Sequence, residues 1–136
     1  MKRFLFAAVL VAAFLSTLTQ AQTIDLRATI PFSFRVGQTE MPAGEYVVHH
    51  QGGTLILREQ SGRHAALIGF ALGAYRPAVM DEGRLEFNRY GATYFLAKLW
   101  PPASQMGVAL PQTSRERELA RQFGVMERAN IALAGK

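Results

Sequence analysis

The chain of 136 residues contains no cysteine. Thiol catalysis, a disulfide framework and cysteine-ligated metals are therefore excluded. Small domains with a thin hydrophobic core often add disulfides. This chain must instead obtain its stability from apolar packing and strand pairing alone.

Histidine is scarce, with only His49, His50 and His64 in the sequence. Neighbouring residues on a strand point to opposite faces, so His49 and His50 cannot grip one ion. His50, His64 and Glu59 form the one polar combination that could make a metal or catalytic site. No short ligand spacing supports it, so we expect structural or solvated histidines, and neither a metal nor another cofactor.

Motifs of known catalytic sites are also missing. The sequence has no G-x-S-x-G elbow and no phosphate-binding glycine loop that opens a helix. Its acidic cluster, Asp81-Glu82 with Glu86 nearby, falls in a region of loop character. Paired carboxylates of a glycosidase must face each other across a cleft, which adjacency does not show. We predict that the protein is not an enzyme and has no catalytic residue.

Neither basic nor acidic residues form a long cluster in the sequence. The 15 basic and 10 acidic residues give a net charge of +5, and the arginines are spread along the chain. Binding to nucleic acid is typical of a basic stripe on one face. We therefore expect no nucleic-acid partner.

The N-terminus has the three parts of a signal peptide. Lys2 and Arg3 precede the apolar run Phe4–Leu15, and Thr19 and Ala21 are small residues suited to a cleavage site. The run falls short of the about twenty residues that span a bilayer. We predict a signal peptide over 1–21, cleaved after Ala21, and an extracytoplasmic product (periplasmic or secreted) without a transmembrane span. Loss of two basic residues lowers the net charge from +5 to +3.

Residues 22–124 have the pattern of a single antiparallel β domain. Ile30–Val36 alternates apolar and polar residues, as a half-buried strand does. Glu45–Gln51 and Thr54–Glu59 flank Gly52-Gly53, which predicts a hairpin that pairs His50 with Leu55 and Val48 with Leu57. The apolar run 65–75 fits either a strand or a short helix, and its glycines favour the strand.

A second hairpin is predicted around Arg89-Tyr90-Gly91. On the register of a three-residue loop, Leu85 faces Phe95. Aromatic and apolar side chains then lie on both faces of this hairpin. If they are exposed, they form a candidate interaction surface, made of Tyr90, Tyr94, Leu96 and Trp100. The alternative is that a second sheet, or the C-terminal helix, covers them.

The C-terminal part begins with a helix near 113–123. Thr113 and Glu116 have the spacing of a capping box, and Gly124 suits the helix end. Its narrow apolar stripe predicts a helix lying on a sheet. We expect a weakly ordered tail over 125–136, with one further strand. The predicted fold is mainly β, an antiparallel barrel or sandwich of about six to eight short strands with one C-terminal helix.

Three segments together carry a resemblance: Ile30–Gly37 with Met41–Val47, then Leu85–Gly91 with Tyr94–Leu96 and Trp100, and Ser114–Ala120. They resemble a group of small secreted bacterial β-proteins to which no activity is assigned. The Pro-Ala-Gly-x-Tyr piece at 42–46 is also similar to a turn of secreted immunoglobulin-like and prealbumin-like sandwiches. Both resemblances imply an extracytoplasmic β domain without catalysis.

These observations predict a non-enzymatic, exported binding domain. Its partner would be a protein, an envelope surface or a second copy of the chain, met at the second hairpin and its neighbouring helix. One alternative is a β-barrel carrier that holds a small apolar ligand in its aromatic interior. A third is an enzyme of unrecognised type that uses His50 or His64 with Glu59.

Overall fold

The computed structural model describes residues 25–51, 54–68 and 72–135. The predicted signal peptide over 1–21 and the Gly52-Gly53 turn lie outside these residues. The described part has eleven strands and one helix: β1 Asp25–Ile30, β2 Phe34–Val36, β3 Thr39–Met41, β4 Gly44–Gln51, β5 Thr54–Glu59, β6 Ala65–Ile68, β7 Leu72–Tyr75, β8 Gly83–Tyr90, β9 Thr93–Trp100, β10 Met106–Ala109, α1 Ser114–Phe123 and β11 Glu127–Gly135.

The strands form a nearly closed, barrel-like sheet, so the predicted mainly β class is confirmed. The order is β3-β2-β9-β8-β11-β1-β4-β5-β6, and β10 pairs with both β7 and β9. All pairings are antiparallel except that of β2 with β9. The strand count exceeds our prediction partly because Ile30–Val36 is interrupted after Ile30. Pro31 has no N–H to donate to a ladder, and pairing resumes at Phe34.

The first hairpin has the predicted register. Val48 pairs with Leu57, and His50 pairs with Leu55. Val48 and Leu57 are fully buried, whereas Arg58 on the opposite face is exposed. Because apolar and polar residues alternate along both strands, all the apolar side chains of one face lie in the core.

The second hairpin differs from the predicted register. Leu85 pairs with Leu99 rather than with Phe95. Glu86 pairs with Lys98 while Phe87 pairs with Leu96, so Ala97 is an extra residue in β9. Such a bulge reverses the alternation on one side of it. As a result Leu96 and Leu99 both enter the main core.

The barrel interior is filled with side chains. The largest fully buried ones include Tyr46, Phe34, Phe87, Ile30 and Met41. The ring of Phe34 contacts Tyr46 and Phe87 edge to face, with centroid distances of 5.2 and 5.3 Å. Interlocking aromatic rings of this kind supply much of the burial in a small β domain.

Strand β11 replaces most of the weakly ordered tail that we expected over 125–136. It pairs with β8 from Glu127 to Leu133, and with β1 at Ala134 and Gly135. The side chain of Leu133 is completely buried. Small residues make this segment look weak when taken alone, but its two neighbours in the sheet supply the burial that fixes it.

Helix α1 lies where the sequence places it. Thr113 caps its N-terminus, accepting from the backbone N–H of Glu116 at 3.2 Å, and Gly124 ends it in the left-handed conformation (φ 68°). Leu119 packs on Tyr90 and Phe95 of the second hairpin, which forms a small second core. In the described part of the chain, the helix present is too short and too polar to cross a bilayer.

Candidate functional site

The four residues predicted as an interaction surface do not form an exposed patch. Tyr90, Leu96 and Trp100 are 3%, 3% and 4% exposed. Tyr94 is half-buried and stacks on Phe32 with a centroid distance of 3.8 Å. The bulge turns Leu96 into the core, and α1 packs on Tyr90 and Phe95.

Glu116 connects this helix to the hairpin. Its Oε1 accepts hydrogen bonds from the hydroxyl of Tyr90 at 3.2 Å and from Nδ2 of Asn88 at 3.0 Å. Burial, followed by the charge of Glu116, raises the pKa of Tyr90. The capping-box pattern assigned the carboxylate of Glu116 to the helix N-terminus, and only the tertiary fold brings it to β8 instead. This contact is structural.

Of the predicted polar site of His50, His64 and Glu59, the described side chains of His64 and Glu59 lie together. Nδ1 of His64 lies 2.6 Å from Oε2 of Glu59 at the β5–β6 turn. The backbone of His50 pairs with Leu55. Leu55 and Glu59 are four residues apart on β5, so roughly 13 Å of strand separates the backbone opposite His50 from Glu59. The side chain of His50 lies outside the described structure.

Nδ1 of His49 lies 2.7 Å from Oδ1 of Asp25 on the neighbouring strand β1. Among the described residues, no three histidine, aspartate or glutamate side chains converge as a metal site would require.

A groove lies between β1 and β11. The two strands pair only at Leu26–Gly135 and Arg27–Ala134. Both strands continue beyond this point, but Thr29 and Ile30 have no partner on β11 in the described ladders. The strands therefore diverge, and a cavity of about 540 Å³ lies between them.

Exposed side chains of three strands and one turn line this groove. The outward residues of β1 and β4 are Arg27, Thr29 and Glu45, and Gln60 follows β5. On β11 the outward positions hold only small or short side chains, which are Asn130, Ala132 and Ala134. Most of the lining is apolar, with Arg27 and Glu45 as one charge of each sign. We call this feature the β1/β11 groove.

Sequence patterns did not predict this groove, because its two walls are about a hundred residues apart in the chain. The one local signal is the run of small outward residues on β11. Small side chains leave strand backbone accessible to another molecule.

The chain matches no protein-family model, no curated protein and no solved structure. The function must therefore be argued from the geometry.

Proposed function

We propose that the protein is an exported, non-enzymatic binding domain that holds an extended polypeptide segment of a partner in the β1/β11 groove. The observation that carries this proposal is the divergence of two adjacent strands after Arg27 of β1 and before Ala134 of β11. The facing edges of β1 and β11 are free to pair there, which is the feature that peptide recognition by strand addition uses.

Backbone chemistry favours a peptide as the occupant. An apolar molecule in the groove would strip water from the strand edges without replacing its hydrogen bonds, which is costly. An extended segment brings its own alternating N–H and C=O groups and satisfies those edges. The small side chains of Ala132 and Ala134 leave room for the side chains of the partner.

The carrier hypothesis keeps one supporting observation. The groove volume of about 540 Å³ lies in the range of small-ligand sites. The interior that we expected to hold the ligand is filled by residues such as Phe34, Tyr46 and Phe87. A carried molecule would therefore lie in the β1/β11 groove, outside the barrel.

Export is part of the proposal and rests on the pattern of residues 2–21. N-terminal sequencing of protein recovered from the extracytoplasmic fraction is expected to begin at Gln22. Recovery of the intact chain with the cytoplasmic fraction would contradict it.

The peptide proposal is tested with protein purified from the exported fraction. A displayed library of random extended peptides is selected on it, and binding of the selected peptides is measured by fluorescence anisotropy. We expect Ala132→Trp, which fills the groove, to weaken binding by about tenfold or more, equivalent to at least 1.4 kcal/mol. Ala65→Trp, at an exposed alanine of β6, is the matched control and should leave binding unchanged.

Equal affinity of the two variants would overturn the assignment of the groove. A co-purifying small apolar molecule, seen by native mass spectrometry and lost in Ala132→Trp, would replace the peptide proposal with the carrier function.

A further inference from the structure

Trp100 is surrounded by cationic side chains. Cζ of Arg76 lies 5.4 Å from the centroid of its ring, and Nζ of Lys98 lies 5.9 Å from it. Arg84 is its partner across the β8–β9 ladder. Trp100 and Arg76 are both more than nine-tenths buried, at 4% and 6% exposure. We call Arg76, Arg84, Lys98 and Trp100 the Trp100 cluster.

Three N–H donors of this cluster lack acceptors. Nη1 of Arg76, Nε of Arg84 and Nε1 of Trp100 are buried and have no hydrogen-bond partner among the described residues. They are also the only side-chain atoms of that kind in the described part of the chain. A buried donor without a partner destabilises the folded protein. Three of them on neighbouring residues therefore favour a ligand that supplies acceptors.

The positive charge of Arg76 has no carboxylate partner among the described residues. Its Nε donates to the carbonyl of Ser104 at 2.8 Å, and its Nη2 donates to the carbonyls of Pro101 at 3.2 Å and Met80 at 3.4 Å. Carbonyl oxygens orient the guanidinium but carry no net charge to balance it. A buried, unbalanced cation attracts an anion.

The ion pair of Arg84 with Glu86 balances only part of the positive charge of the cluster. Its Nη2 lies 3.5 Å from Oε1 of Glu86, and Glu86 is also the ladder partner of Lys98. The cluster thus contains three cations and this one carboxylate. A cavity of about 270 Å³ adjoins Arg84, and its lining also includes Met80, Glu82 and the β11 residues Asn130, Ile131 and Ala132. Met80 connects the two, because its carbonyl accepts from Arg76.

We propose that the Trp100 cluster binds a compact oxyanion, that is, a carboxylate or phosphate group. Arg76 Nη1, Arg84 Nε and Trp100 Nε1 supply the hydrogen bonds, and the guanidinium groups supply the charge. Arginine is well suited to this task because its planar fork matches oxyanion geometry and its hydration is weak. The four residues of the Trp100 cluster do not line the β1/β11 groove, but the cavity beside Arg84 shares Asn130, Ile131 and Ala132 with it. The inference does not rest on the peptide-binding proposal.

Trp100 is the only tryptophan of the chain, so its fluorescence reports on this site directly. The full-length, signal-cleaved protein is titrated with inorganic phosphate and, separately, with acetate, at constant ionic strength kept with chloride. We expect a saturable change of Trp100 emission below about 10 mM, a weak but specific affinity. An equal change with chloride alone, or no saturable change with either oxyanion, overturns the proposal.

Variants locate the site. Arg84→Met, at a partly exposed residue, should raise the half-saturation concentration about tenfold or more. Arg58→Met, which removes an exposed arginine from β5, is the matched control and should titrate like the parent protein. Arg76→Lys keeps the charge but not the fork, and circular dichroism verifies its fold before titration. Parent-like titration of both Arg84→Met and Arg76→Lys would overturn the assignment.

Discussion

Tyr90 and Glu116 lie 26 positions apart in the chain, and the hydroxyl of the first donates to the carboxylate of the second at 3.2 Å. Glu116 also accepts from Asn88, and it is buried at 5% exposure. The pair joins the only helix of the described structure to β8.

Replacing Glu116 with alanine should destabilise the protein by about 2 kcal/mol, because Tyr90 and Asn88 lose their acceptor in a buried place. Glu118→Ala is the matched control on the exposed side of the same helix, where the contact with Arg115 contributes at most about 0.5 kcal/mol. Urea unfolding measures both values. Equal losses of stability would show that Glu116 does not anchor the helix.

Gly107 should tolerate no side chain. A Cβ there would lie 2.5 Å from the carbonyl oxygen of Leu99 and 2.5 Å from Cε3 of Trp100. We expect Gly107→Ala to cost about 1–3 kcal/mol, as overpacking does. Gly73→Ala is the control on the partner strand β7, where nothing lies within 4 Å. Thermal unfolding compares the two, and an unchanged melting temperature in Gly107→Ala would contradict this packing.

The C-terminal strand should be essential for the fold. Leu133 of β11 is completely buried, so Leu133→Ala is expected to cost about 3 kcal/mol. Leu67→Ala removes the same atoms from a side chain that is 70% exposed and should cost little. A chain that ends at Met126 lacks a central strand and should show no cooperative unfolding transition by circular dichroism. A truncated chain that still unfolds cooperatively would show that residues 127–135 are not needed for the fold, as the predicted weakly ordered tail implies.

Stability should fall in alkaline solution through Tyr46. Burial, and after it the charge of Glu59, raises the pKa of this tyrosine to about 12, compared with 10.0 ordinarily. Because the folded-state pKa is the higher one, the contribution is complete below pH 10 and is lost as pH rises from 10 to about 12. The loss is on the order of 2 kcal/mol.

Tyr46→Phe cannot ionise and should flatten this part of the stability–pH profile. It also removes the hydrogen bond that the Tyr46 hydroxyl donates to the carbonyl of Pro42, which lowers stability at every pH at which that hydroxyl is protonated. The exposed Tyr75, changed to phenylalanine, is the control. An unaltered alkaline slope in Tyr46→Phe would assign the effect to other groups.

Local patterns predicted the elements that depend on neighbours in sequence. The alternation around Val48 and Leu57 settles both the faces and the register of the first hairpin. Thr113 and Gly124 mark the helix ends by capping chemistry that is visible in the sequence.

Assigning strand faces from the alternation of apolar and polar residues failed in β9, where one extra residue interrupts that alternation. Ala97 is an extra residue in β9, and a single bulge exchanges the faces of all residues beyond it. The predicted exposure of Leu96 depended on the unbroken pattern. Trp100 keeps the predicted face opposite Leu99, where Arg76 and Lys98 lie against its ring. The β1/β11 groove could not be predicted from the sequence, because it depends on where two strands that are distant in the chain stop pairing.

The position of β11 also has a consequence for how the chain folds. This last strand lies between β8 and β1, so the half of the sheet containing β1 joins the half containing β8 only through it. Contacts between residues as far apart as Leu26 and Gly135 form slowly, because a long loop must close first. The sheet therefore cannot be completed before residues 127–135 have been synthesised. Until then the half of the sheet containing β1 and the half containing β8 stay unjoined.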